Sequence, residues 1–188
     1  ANGWSGYDPF DILGTPIILR ILKIKNPALR ELRLPVIALV RMFPKTSRQF
    51  LKVKTTVNAK AIALFAIAYL NLYKCLDKEE FLDRAVTCLN WLEKNFSKGY
   101  SGYCWGYPFD WQSLVFFPKG TPSGVVSSIA GHSFLDAYEQ LRKKIYLKIS
   151  EKVCNFILND LNKKEHKNEL CFSYTPLDDF EVHNANLW

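Results

Sequence analysis

Asp11, Asp110 and Asp178 each end a short loop that carries a tyrosine, a proline and an apolar residue. The three loops read Tyr7-Asp8-Pro9-Phe10-Asp11, Tyr107-Pro108-Phe109-Asp110 and Tyr174-Thr175-Pro176-Leu177-Asp178, and Asp8 and Asp179 are further acids beside them. If the loops share one rim, carboxylates from separate parts of the chain approach one another. A pair roughly 5 Å apart suits retaining glycoside hydrolysis and one ~6.5–9.5 Å apart suits inversion. The other reading of the same spacing is architectural: each aspartate closes a turn or caps the helix that follows.

Aromatic residues crowd the same loops, among them Trp4, Tyr7, Tyr103, Trp105, Tyr107 and Trp111. The C–H faces of sugar rings stack on such side chains, and tyrosine or tryptophan adds a hydrogen bond from its polar end. Alternatively, the loops bury these rings as a small satellite core. His132, His183, Tyr107 and Tyr174 form an acid–base set of the kind that proton abstraction beside a carboxylate requires. Ser128, His132 and Asp136 lie one helical turn apart along one line, and His183 opens a His183-Asn184-Ala185-Asn186 run in which the asparagines supply polar contacts. His132 also reads as a hydrogen-bonded histidine on an outer helix face.

The elements that hold these residues follow from periodicity. Val57, Ala61, Leu64, Phe65, Ala68, Leu72 and Cys75 recur at helical spacing and predict a helix over Thr55 to Cys75 with that stripe buried. Asp77 and Glu80 predict a capping-box start for the next helix, which Gly99 stops. Ser123 is placed to cap a third helix reaching about Leu141, and a fourth runs from about Ile145 to Leu161. Shorter helices are expected over Pro16 to Lys25 and Ala28 to Met42, broken by Pro27 and Pro35 and ended near Pro44. The segment Lys163 to Lys167, with His166, reads as a polar turn. Cys104 and Cys171, in the loops after the two strong hairpins, are 67 residues apart. Ala68-Tyr69 correspondingly answers to Ala137-Tyr138. A two-helix unit of that size cannot close its own core, so neighbours stack and bring equivalent loops to one end.

The hairpin repeat, the aromatic and acidic loops and the ending His183-Asn184-Ala185-Asn186-Leu187-Trp188 resemble the α/α-toroid superfamily. That superfamily includes six-hairpin glycosidases, uronate lyases and epimerases, and terpenoid cyclases. The chain looks most like prokaryotic toroid proteins associated with surface-polysaccharide biosynthesis. The resemblance implies an all-α fold of α/α hairpin repeats forming a partial toroid, one domain over 1–188 that is the N-terminal part of a larger ring. It implies a carbohydrate-binding or carbohydrate-modifying role, of hydrolase, lyase or epimerase type, on a surface or acidic polysaccharide. Asp110, Asp178, Asp11, His183, Tyr107 and Tyr174 are then the catalytic candidates. Trp105, Trp111, Tyr7, Asn184, Asn186 and His132 are the substrate-binding ones. An unclosed edge of hairpins predicts self-association or a C-terminal partner segment.

Composition narrows the field. The chain has 188 residues, 48% hydrophobic and 23% charged, which is ordinary for a globular fold and unlike disorder. The longest apolar run, Ala61 to Leu70, is half of what a bilayer crossing needs, so no transmembrane helix is expected. No secretory apolar region opens the sequence, and a cytoplasmic location is the expectation. Five cysteines without CxxC spacing predict reduced, mostly buried thiols and no zinc site. No GxGxxG, Walker A, GxSxG, HExxH or EF-hand pattern occurs, so neither metal nor cofactor is expected. Aspartate-rich cyclase motifs are also missing, which argues against isoprenoid chemistry. Between Arg20 and Lys60 stand eleven Lys/Arg against one acid, Glu31. That segment, which includes Arg41 and Arg48, attracts anions such as an acidic glycan or a membrane surface, and no helix-turn-helix, RRM or KH signature accompanies it to suggest nucleic acid. The rival to the glycan reading is therefore a non-catalytic helical-repeat scaffold for a protein partner or an anionic surface.

Overall fold

A computed structural model describes residues 3–24, 26, 31–167 and 169–187. The chain divides into two compact units, Ala1–Val57 with Pro108–Lys119, and Asn58–Tyr107 with Gly120–Trp188. The fold is all-α, and consecutive α/α hairpins build the second unit.

In the first unit, a 3-10 turn (Asp11–Gly14) leads into α1 (Pro16–Leu22), α2 (Arg33–Met42) and α3 (Pro44–Phe50). Residues 28–30 of the second expected short helix lie outside the described residues. Pro35 does not interrupt α2, because it falls in the first turn, where an amide hydrogen has no intrahelical acceptor to lose. Pro44 opens a further helix instead of merely ending one, its fixed φ suiting the first helical position. Ile12, Ile18 and Val40 form this unit's core, with Leu13, Ile21, Leu22, Val36 and Leu51 packed on it. The strands β1 (Trp111–Gln112) and β2 (Phe116–Phe117) pair antiparallel, Trp111 opposite Phe117.

The second unit holds α4 (Ala59–Leu76), α5 (Glu79–Lys94), α6 (Gly124–Leu141) and α7 (Lys144–Asp160). Asn58 caps α4 by accepting from the Lys60 amide, and Ser123 caps α6 by accepting from the Val126 amide, as its position suggested. Asp77 does not cap α5. It ends α4 in the left-handed conformation, φ 51°, and α5 starts two residues later with no side-chain cap. α4 packs against α5 within its hairpin and against α6 of the next, so the first helices of successive hairpins lie side by side. This is the neighbour relation of consecutive α/α hairpin repeats. α6 is the central element, burying residues from Val125 to Ala137 around much of its circumference.

The buried face of α4 is not the expected one. Ala59, Ile62, Ala63, Ala66 and Leu70 are buried, whereas Leu64, Phe65, Ala68, Leu72 and Leu76 are exposed. The helix is apolar nearly all round, and its alanines let the neighbouring helices approach closely. By length and composition alone, α4 could cross a membrane. In this fold its Ile62 and Leu70 are sealed inside the second unit. Lys163 to His166 is not a turn but β3 (Lys163–His166), paired antiparallel with β4 (Glu169–Phe172). A 3-10 turn, His183–Ala185, is the last described element, and Trp188 lies outside the described residues.

Candidate functional site

Tyr107 and Tyr174 occupy equivalent places in the loops after the two hairpins, and their hydroxyls lie 3.0 Å apart. Two segments 67 residues apart in sequence thus meet through the same side chain of the repeat. Both rings are half-buried. Getting there requires the loop after α5 to fold tightly beneath the second hairpin. Gly106 pairs with Pro122 as an isolated β-bridge, and a Cβ at Gly106 would fall on the Thr121 carbonyl, so only glycine permits the approach. The Trp105 amide donates to Ser127 Oγ at 3.1 Å, and its Nε1–H donates to the Leu92 carbonyl at 3.0 Å.

Trp105 was expected to stack on a sugar and instead lies in the core, 1% exposed between Tyr103 and Phe134. Its apolar area and indole N–H are both consumed by protein, which is the satellite-core alternative for loop aromatics. Trp111 stacks on Phe117 with centroids 4.2 Å apart across the β1–β2 pair. Tyr7 is exposed, with the Arg48 guanidinium over its ring.

The carboxylates bond within their own loops. Asp178 is buried and accepts from the amides of Tyr174 (3.1 Å), Thr175 (2.8 Å) and Phe180 (3.2 Å) and from Thr175 Oγ1 (2.7 Å). Asp11 is buried as well, accepts from the Asp8 amide and pairs with Arg48 at 3.2 Å. Arg48 also donates to the Asp8 carbonyl, so it is spent inside the first unit and is no free surface cation. Asp110 accepts from the Lys119 amide at 2.6 Å and so closes the loop around β1 and β2. This is the turn-closing alternative for each of the three. Within the first unit, Gly14 lies against the Asp110 backbone, which brings the Asp11–Gly14 turn beside β1.

His132 is exposed on α6. Burial raises the Asp136 carboxyl above its ordinary value, and His132, one turn away, opposes that rise. His183 and Asn184 are exposed in the last 3-10 turn. Asn186 ties that turn to β4: its Oδ1 accepts from the Phe172 amide and its Nδ2 donates to the Phe172 and Val182 carbonyls. Ser173 and Thr175, which the spacing argument passed over, complete the Asp178 loop. Ser173 Oγ accepts from the Asn162 amide and donates to the Thr175 carbonyl. The only sequence signal for them was their place beside Tyr174 in the repeated loop.

Of the five cysteines, only Cys88 and Cys104 are buried, and Cys75 and Cys154 are exposed. Burial pushes the Cys88 thiol up to about 11 and the Cys104 thiol up to about 12. Iodoacetamide at pH 8 is therefore expected to label Cys75 and Cys154 in the native protein and to spare Cys88 and Cys104, as read by peptide mass mapping. The unfolded chain releases these protons near pH 8.5, while the fold retains them. Stability should thus be unaffected by them below that value and fall as pH rises towards 12. Among the described residues, no group of three or more His, Cys, Asp or Glu could hold a metal ion.

No protein-family profile matches the sequence, and no curated protein matches it. Among solved structures, the chain is similar to a family 76 glycoside hydrolase from a bovine Bacteroides thetaiotaomicron strain, at 13% identity and a TM-score of 0.48. The likeness covers 64% of this chain and 27% of that one, so the chain spans about a quarter of its neighbour's length.

Proposed function

We propose that the chain is a carbohydrate-binding α/α-hairpin protein that contacts a glycan at the end of the hairpins where Tyr107 and Tyr174 meet. The observation that carries the reading is the hydroxyl pair of these tyrosines. Two half-buried phenols set side by side bring together aromatic rings and polar ends, the side-chain types that sugar C–H faces and hydroxyls engage. Asp178 and Trp105 serve this end by shaping its loops, since their polar atoms already have partners within the fold. Binding is thus better supported than turnover. A hydrolase, lyase or epimerase step, an acidic polysaccharide as ligand, and membership of a larger toroid are the finer parts of the same proposal.

Thermal melts against neutral and acidic oligosaccharides test it. At least one class should raise the melting temperature, and Tyr107→Phe or Tyr174→Phe should weaken that response by about five- to tenfold in Kd, the effect of one lost hydrogen bond. A panel that shifts nothing would sink the proposal.

A second reading, a non-catalytic scaffold for a protein partner or a second copy, is favoured by the apolar stripe that α4 leaves exposed at Leu64, Phe65, Leu72 and Leu76. A sedimentation coefficient that stays constant over a wide concentration range would remove its self-association form.

A further inference from the structure

We infer that the first unit docks on an anionic lipid surface through the outward face of α2. This goes beyond the glycan reading and stands without it. The unit's charge suits such a surface. The first unit holds eleven Lys/Arg against four Asp/Glu, so it accounts for the whole net charge of +7, and the hairpin unit is neutral with fourteen of each. Arg41, Lys45, Lys52 and Lys54 are exposed, and Asp11, one of the few acids, is neutralised internally by Arg48.

The outward face of α2 is apolar. At 100° per residue, Val36 and Val40 turn inward to the core of Ile12 and Ile18. Leu34, Ala38 and Met42 occupy the opposite side, Pro35 and Leu39 flank it, and all five are exposed, Leu34 at 72% and Met42 at 70%. Arg41 borders this face, and beyond the helix end Phe43 and, at the end of α3, Phe50 are exposed too, Phe50 at 81%.

A polyanion such as nucleic acid or an acidic glycan would use the cations but gain nothing from leucine, methionine and phenylalanine side chains in water. A protein partner would bury the apolar face without needing a surplus of positive charge beside it. The interface of an anionic bilayer uses both: apolar side chains enter the boundary of the acyl region, and lysine and arginine reach up to the headgroups. The occupant that fits is therefore a membrane surface rich in anionic lipid, reached from one side and not spanned.

Co-sedimentation of the full chain with vesicles tests this. The protein should pellet with phosphatidylcholine vesicles that contain phosphatidylglycerol and stay in solution with phosphatidylcholine alone. The double variant Leu39→Ser/Met42→Ser should partition at least about tenfold less, because two exposed apolar groups no longer enter the bilayer. Lys45→Glu/Lys52→Glu should do the same, and so should 1 M salt, which screens beyond roughly 3 Å. All four positions are exposed, so the melting temperature should not change in either variant. Failure to pellet with anionic vesicles overturns the inference. Pelleting that the apolar variant leaves intact also overturns it, by reducing the effect to charge. If the apolar variant instead changes the sedimentation coefficient without vesicles, the face is a protein interface and the lipid assignment falls.

Discussion

Trp105→Ala is expected to lower the stability of the hairpin unit by about 3–5 kcal/mol, the usual cost of emptying a tryptophan site in a core. The side chain is 1% exposed and lies between Tyr103 and Phe134, at ring-centroid distances of 6.1 and 6.2 Å. Its removal also takes the indole donor from the Leu92 carbonyl at the end of α5, leaving that oxygen the Asn95 amide at 3.2 Å. Against a typical total of roughly 5–15 kcal/mol, such a loss leaves a substantial unfolded fraction at 37 °C. Urea unfolding followed by far-UV circular dichroism measures it directly. Trp105→Phe keeps much of the packing and should cost less, the indole hydrogen bond being what it still loses. A Trp105→Ala protein that melted like the wild type but lost its response to oligosaccharide would return this ring to the binding surface.

Asp178→Ala should cost a comparable amount, about 3–5 kcal/mol, for a different reason. The carboxylate satisfies three backbone amides and the Thr175 hydroxyl inside a loop where both Asp178 and Thr175 are buried. Deleting it orphans donors that water reaches poorly, at roughly 1–3 kcal/mol for each one left unpaired. Asp178→Asn retains one acceptor oxygen and turns the other into a donor facing donors, so its loss should be intermediate. The loop also carries Tyr174, so glycan binding should weaken in step with stability. Wild-type stability in Asp178→Asn, together with an altered reaction on a polysaccharide, would instead make Asp178 a chemical group.

The helices of the second unit were legible because their signals are local. The cap at Ser123 depends on residues within three positions of the helix start. Gly99 adopts φ 93°, the positive value that a chain reversal after a helix asks of glycine. The 67-residue repeat predicted that equivalent loops meet, and Tyr107 and Tyr174 do so at 3.0 Å. What failed was the assignment of faces. On α4, two apolar stripes compete, and periodicity cannot say which one α5 and α6 will cover. The inward stripe is the one whose alanines permit close helix packing.

The chemistry was less legible than the scaffold. An aspartate in a Tyr-x-Pro-x-Asp loop has the same sequence whether it faces a ligand or folds back on the amides of its own turn. Asp178 folds back, and Asp11 also meets Arg48 from 37 residues away. The sequence by itself determined the all-α hairpins, the equivalence of their loops and the concentration of positive charge before Lys60, since each rests on neighbouring residues or on composition. Only the tertiary structure decided that Trp105 is core, that the carboxylates are turn closures, and that the outer face of α2 is left in water. Those outcomes depend on which distant backbone and side-chain groups arrive to satisfy a polar atom or cover an apolar face, and no local pattern encodes that arrival.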